Sequence, residues 1–180
     1  MEEIKNSAFV LTQLESPLQT IEYLGQLAQQ YDLKLVLNPA PAQHLSDELL
    51  SSLHMITPNE IEAELLSGIK VVDETSAKSA ATVLRQKGVN TVIITMGSKG
   101  AYVLSNDLDE LIPTQKVKVV DTTAAGDTFN GALVVALAEG MDLKSAVEFA
   151  NRAAAHAVGI LGAQTSAPLR SDIEITTKTN

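Results

Sequence analysis

The 180-residue sequence contains no cysteine and no tryptophan. Without thiols it can form neither disulfides nor thiolate metal sites. Aromatic residues are only 3% of the chain, so a core has to be built from Leu, Ile, Val and Ala, as where helices cover a parallel sheet. Positive charge is scarce as well: 13 Lys and Arg against 22 Asp and Glu give a formal net charge of −9. No basic stripe marks a nucleic-acid-binding face. There is no apolar run of membrane-spanning length, no signal-peptide pattern and no anchor motif. These absences imply a cytoplasmic protein whose partners include neither nucleic acid nor membrane. A small phosphorylated ligand is still compatible with the acid balance, because backbone N–H groups and bound cations hold anions locally.

Apolar residues are 45% of the chain, and the length suits one domain with a sizeable core. A single α/β domain over residues 1–180 is therefore expected. Periodicity switches repeatedly between two and 3.6 residues. SAFVLTQ (residues 7–13) reads as a buried strand, followed by a helix start in which Ser16 caps and Pro17 occupies the first turn. Strands are expected at 34–37, 54–57, 91–95, 101–104 and 116–120, with a polar turn at 107–110 between the last two. Helices are expected near 47–53, from Asn59 to a stop at Gly68, from an Asp73 cap to 87, and over 126–139 and 143–158. The tail after Gly162 reads as loop with a terminal helical turn. Strands alternating with helices give an α/β sheet with an antiparallel hairpin after Gly97.

Three stretches have the composition of a site. In DTTAAGD a strand enters and a helix leaves, so Ala124, Ala125, Gly126 and Asp127 fall in the first helical turn. The first N–H groups of a helix have no internal partner, and small side chains leave them open to an anion. Asp127 beside such a cradle is placed to accept a proton from a hydroxyl attacking the anion. Its alternative role is to stabilise the helix dipole, worth about 0.3–1 kcal/mol. The second stretch is TMGSKG (95–100), either a glycine-rich turn between strands or a loop that contacts nucleotide phosphates through its backbone and Lys99. It is not a Walker A loop, whose glycines lie further apart and precede a helix. The third is TPNEIEAE (57–64), where Asn59 and Glu62 are three apart. That spacing serves helix capping or an oxygen-lined Mg²⁺ site reached through water. His44, His54 and His156 are separated and receive no catalytic or metal role.

In chain order, NPAPA, TPNEIEAE, ITMGSKGAYV, DTTAAGDTFNGAL and GAQTSAP resemble the ribokinase branch of the PfkB-type carbohydrate kinase family. DTTAAGDTFNGAL is similar to that family's C-terminal signature. The resemblance implies a three-layer α-β-α, Rossmann-like fold of the ribokinase-like type, and ATP-dependent phosphoryl transfer to a primary hydroxyl of a pentose such as D-ribose. It implies Asp127 as the base and the backbone of Ala124, Ala125, Gly126 and Asp127 as the anion hole. It implies that Asn59 and Glu62 organise Mg²⁺ and phosphate, with Glu62 acting on the ion through water. Thr95, Gly97, Ser98 and Gly100 would line the ATP site, and Asn151 would lie beside the adenine. A monovalent cation, usually K⁺, would be held by Asp121, Thr123, Ala157, Ile160, Gly162 and Ser166, several through backbone carbonyls.

The resemblance is to the C-terminal portion of such a kinase. The family's N-terminal region, with most sugar-binding residues and a β-sheet lid that also forms a dimer contact, has no counterpart here. The chain is thus expected to be a truncated product, one half of a split gene or an excised piece. ATP or ADP is the expected ligand, with ribose if the sugar site is complete, and a homo-oligomer or a missing N-terminal half as the expected partner. Two other functions stay open: a catalytically incompetent nucleotide-binding fragment, and a PfkB-type kinase for another sugar.

Overall fold

The computed structural model describes residue 4 and residues 6–175. The chain divides into two compact units: residues up to Gly97 together with Tyr102–Leu111, and Ser98–Ala101 together with the residues from Ile112 onward.

The first unit is built on a sheet in the order β1 (Val10–Thr12), β2 (Leu35–Leu37), β3 (Met55–Ile56), β4 (Thr91–Thr95), β5 (Ala101–Leu104) and β6 (Asp109–Ile112). The first four strands are parallel, with Val10 opposite Leu35, Val36 opposite Met55 and Met55 opposite Thr91. Parallel neighbours need long crossovers, and these are supplied by α1 (Leu18–Tyr31), α2 (Asp47–Ser51), α3 (Glu60–Ser67) and α4 (Glu74–Gln86). β5 and β6 follow through turns too short for a crossover, so the sheet is mixed. β2 reads Leu-Val-Leu and is buried on both faces, as central parallel strands are. Its core neighbours are Ile21 and Ala28 of α1, Leu49 and Leu50 of α2, and the Ala77, Ala80, Ala81 and Leu84 stripe of α4. Asp73 caps α4 as the sequence predicts, accepting the Ser76 N–H at 2.8 Å while Ser76 Oγ accepts the Asp73 N–H.

Two local expectations are corrected. α1 begins at Leu18 with Pro17 at the cap position and no side-chain cap bond, so Ser16 does not cap it. Pro17 carries the non-helical ψ of 133°, which leaves Ser16 one residue too early to reach the first helical N–H groups. Residues 116–120 form no strand. Pairing starts earlier, at Asp109, because Ser105 tightens the turn: its Oγ accepts the Asp107 and Leu108 N–H groups, and its own N–H donates to the Leu108 carbonyl. The valines at 117, 119 and 120 are instead exposed, and the Val120 and Asp121 N–H groups both donate to the Val158 carbonyl, at 2.7 and 3.2 Å.

The second unit packs α5 (Ala125–Ala138) against α6 (Leu143–Ala157), followed by a 3₁₀ turn at Gln164–Ser166 and α7 (Arg170–Ile175). Phe129, Leu133 and Ala136 of α5 and Ala146, Val147, Ala150, Ala153 and Ala157 of α6 are buried. Asp142 caps α6 through the Ser145 N–H. Gly100 lies at φ +106°, and a Cβ there would sit 2.1 Å from the Ile112 carbonyl oxygen. Both the backbone sign and the close approach demand glycine. Gly100→Ala is expected to lower unfolding stability by about 2–4 kcal/mol, read as a shift of the denaturant midpoint.

Candidate functional site

In the first unit, the candidate residues gather where β3 and β4 end. Asn59 caps α3: its Oδ1 accepts the Ile61 and Glu62 N–H groups, each at 2.9 Å, and Glu62 Oε2 accepts the Asn59 N–H at 2.8 Å. This reciprocal box is the capping arrangement that the N-x-x-E spacing allows. Asn59 also forms a parallel bridge with Thr95, whose N–H donates to the Pro58 carbonyl at 2.9 Å. Asn59, Glu62 and Thr95 are thereby brought together at the carboxyl ends of parallel strands, the edge where open α/β sheets bind ligands. Glu62 is only 6% exposed. Burial pushes its carboxyl above the ordinary range, opposed by its bonds with Asn59. Gly97 follows at φ +52° and opens the 3₁₀ turn Gly97–Lys99.

In the second unit, the start of α5 is bare. Ala124 holds the cap position in the left-handed conformation, φ 60° and ψ 11°, with no side-chain cap bond. A non-glycine residue there is strained, and such strain concentrates at functional sites. Ala125 donates its N–H to the Thr122 carbonyl at 3.2 Å, so this donor closes a turn. The Gly126 N–H has no partner among the described residues, and a Cβ at Gly126 would meet nothing within 4 Å. Asp127 is exposed at the third helical position.

Asp121 ties two segments together. Its Oδ1 accepts the Thr123 N–H at 2.9 Å and its Oδ2 accepts the Gly162 N–H at 3.0 Å. Hydrogen bonds from Thr123, then from Gly162, hold its carboxyl below the usual aspartate range. On the segment it secures, the Ile160 N–H donates to the Ala157 carbonyl at 3.1 Å. Ser166 is fully buried and donates its hydroxyl to the Ala163 carbonyl at 2.8 Å. Asp121, Thr123, Ala157, Ile160, Gly162 and Ser166 thus all lie in one unit.

Ser98 is exposed in the turn, whereas Gly100 is buried and fixed by its close approach to Ile112. Asn151 is buried on α6, and its Nδ2 donates to the Ile112 carbonyl at 3.1 Å and less directly to that of Pro113 at 3.5 Å. Thr114 Oγ1 returns a bond to the Asn151 carbonyl at 3.3 Å. These bonds form one wall of a cavity of about 210 Å³ lined by Ile112, Pro113, Thr114, Gln115, Glu148, Asn151 and Arg152. Sequence reasoning placed Ala124 in the first helical turn and missed its left-handed backbone at the cap position, because alanine carries no turn-forming side chain to announce it. Among the described residues, no group of three or more His, Asp or Glu is placed to hold a metal, and no helix is long and apolar enough to cross a membrane.

A chain of this sequence and fold has counterparts among known proteins. The chain belongs to the pfkB family of carbohydrate kinases, which it matches over residues 2–170. It is 49% identical over 170 residues to a ribokinase of Haemophilus influenzae, covering 94% of this chain and 56% of that protein. It is 45% identical over 171 residues to a ribokinase of Staphylococcus aureus, with the same two coverages. Among solved structures, ribokinase of Thermotoga maritima superposes with a TM-score of 0.88 at 39% identity, covering 98% of this chain and 59% of the other. Arabidopsis thaliana ribokinase, solved with ribose and ATP, gives 0.89 at 29% identity and covers 99% and 58%. The chain therefore has the ribokinase-like α/β fold, and it spans about 56% of the length of the curated relatives it matches.

The Asp121 tie makes a pH-dependent contribution. A depressed carboxyl stabilises the fold above its unfolded pKa, and that contribution disappears as pH falls through the folded value. Asp121→Asn is expected to lower the melting temperature at pH 7, with the gap from wild type closing as pH drops below about 4. A gap that stays constant across this range would show that the carboxylate charge is not what holds the loop.

Proposed function

We propose that this chain is the nucleotide-binding and phosphoryl-transfer part of a ribokinase-like sugar kinase. The observation that carries the reading is the start of α5: a left-handed, uncapped entry, an open Gly126 and an exposed Asp127 in the first turn. Phosphoryl transfer asks a protein mainly for positioning and for electrostatic stabilisation of the transferred group. The Gly126 N–H at the positive end of α5 binds a phosphoryl oxygen, and the Asp127 carboxylate accepts the proton of the sugar hydroxyl. ATP is the phosphate donor. Thr95, Gly97, Ser98, Gly100 and Asn151 are the residues that the family resemblance assigns to the nucleotide. Ribose is the preferred acceptor because the ribokinases among the curated relatives match at 37–49% identity, above the 33% of the deoxyribokinases.

The donor groups suit the ions that the family resemblance implies. Asp121 and the carbonyls of Thr123, Ala157, Ile160 and Gly162, with Ser166, are hard oxygen donors, a chemistry that fits K⁺, and the Asp121 hydrogen bonds tie the Thr123 and Gly162 segments of that set together. When bound, that cation would supply positive charge to offset that of the phosphoryl group. Glu62 offers a carboxylate whose ionisation is disfavoured by burial, a situation a nearby cation relieves, which fits Mg²⁺ held through water. Net charge of −9 is no obstacle, because these contacts are local.

The test is ribose phosphorylation by the purified chain with ATP, Mg²⁺ and K⁺. Asp127→Asn is expected to lower turnover by about 10²–10⁴-fold and to leave ADP affinity near that of wild type. Equal turnover in the variant would remove Asp127 from its role. Wild-type protein that binds ADP without turning over ribose would instead support a nucleotide-binding part needing the remainder of the kinase. A second check separates binding from folding. Gly126→Ala is expected to hold or raise stability, by up to about 1 kcal/mol, yet to weaken ADP and ATP binding by about tenfold or more, because the added methyl enters the open cradle.

A further inference from the structure

The cavity beside α6 holds a polar group that the fold does not use. Arg152 lines it, and its Nε is buried without a hydrogen-bond partner among the described residues. Buried donors are almost always satisfied, so an orphan calls for a ligand or a water. Glu148 lies one turn earlier on the same helix, the spacing at which Arg and Glu commonly pair. No ion pair joins them among the described residues. The guanidinium instead rests near the Phe149 ring, its Cζ 5.9 Å from the centroid. Arg170 approaches the same ring at 5.4 Å but is also held by Glu139 at 2.5 Å. The neighbouring Asn151 is occupied too, since its amide secures the Ile112 carbonyl. Of the lining side chains, Arg152 and the exposed Gln115 have donors without a hydrogen bond among the described residues, and Arg152 is the one whose unengaged donor is buried.

The volume of about 210 Å³ lies below the roughly 300–1,000 Å³ of sites that enclose whole drug-sized ligands, and it suits a single ring system. A neutral ring with acceptor nitrogens supplies what the guanidinium fork lacks. Asn151, the residue the family resemblance places near the adenine, holds the cavity wall. We propose that Arg152, which that resemblance does not assign, is the side chain that recognises the base, donating hydrogen bonds to an acceptor nitrogen of a purine ring seated between residues 112–115 and α6. This rests on the reading that the second unit binds an adenine nucleotide.

The experiment is a calorimetric titration of the full chain with ADP, 1-deaza-ADP, 7-deaza-ADP and inorganic tripolyphosphate. Wild type is expected to bind one deaza analogue about tenfold more weakly than ADP, the scale of a charged hydrogen bond. Arg152→Ala is expected to bind ADP about tenfold more weakly than wild type, to lose the discrimination between ADP and that analogue, and to bind tripolyphosphate as wild type does. Arg152→Lys keeps the charge and the stem over Phe149 but lacks the fork. It is expected to lose the same discrimination, and it serves if the alanine variant misfolds. Unchanged ADP affinity and analogue preference in both variants would overturn the assignment. An equal loss of tripolyphosphate affinity would show that Arg152 reads phosphate and overturn it as well. Wild type that binds tripolyphosphate but distinguishes neither analogue would refute base recognition while sparing the anion hole, whereas wild type that binds no ADP removes the nucleotide reading together with this proposal.

Discussion

An α-helix cannot satisfy its own first N–H groups, and α5 meets that constraint unlike either the side-chain-capped helices or α1, whose uncapped start carries a proline at the cap position. α3, α4 and α6 start on Asn59, Asp73 and Asp142, whose side chains accept N–H groups of the first turn. α5 does not. It starts on an alanine in the left-handed region with no side-chain acceptor. A left-handed alanine is held only where its surroundings over-determine it. Here the surroundings are the Thr122–Ala125 turn and the Asp121 carboxylate, which fixes the backbone at Thr123 and at Gly162. The loop is therefore held by its own hydrogen bonds, independently of any ligand, and the positive end of the helix is left uncapped. A phosphoryl group fits that vacancy in charge, and the carboxylate of Asp127 stands in the same turn.

The strands and helices with strong periodicity were legible in the sequence. The Thr91–Thr95 strand, the Asp73-capped α4 and the paired helices α5 and α6 follow their patterns closely. Residues 116–120 misled because alternation of Lys and Val is the signature of a half-buried strand. Ser105 fixes a tighter hairpin upstream, and Val158 captures the backbone donors of Val120 and Asp121. Alternation reports which residues are able to pair, and a competing hydrogen-bond partner elsewhere in the chain decides whether they do. The Ser16 cap failed for a local reason, the one-residue offset that Pro17 imposes.

Legibility of the candidate site divides along the same line. The Asn59–Glu62 box is encoded in one i, i+3 spacing, so sequence alone offers it. The bridge from Asn59 to Thr95 joins residues far apart in the chain and depends on β3 pairing with β4. The amide of Asn151 is a similar case. Its position in an alanine-rich helix says nothing about its reach to the Ile112 carbonyl. Arg152 was invisible because a charged residue on a helix is usually solvated. Only the missing partner of a buried nitrogen distinguishes it, and no sequence pattern records a missing bond.

Gly100 and Gly126 show why residue identity alone does not assign a role. Both are small, both lie in glycine-rich stretches, and the family resemblance places both at the nucleotide. At Gly100 the absent side chain is demanded by the protein itself, since the Ile112 carbonyl occupies the space where a Cβ would stand. At Gly126 nothing in the described structure fills that space, and the backbone is ordinary helix in which alanine would fit better. A glycine kept where the fold gains nothing from it is explained by something outside the fold, and at the uncapped end of α5 an anion is what the local charge favours. The same logic connects Gly126 to Arg152: an open space with an unengaged N–H in one place, and a buried donor without an acceptor in the other. Both lie in the second unit, and the proposed purine nucleotide, with negative charge at one end and ring acceptors at the other, is a ligand whose chemistry answers both.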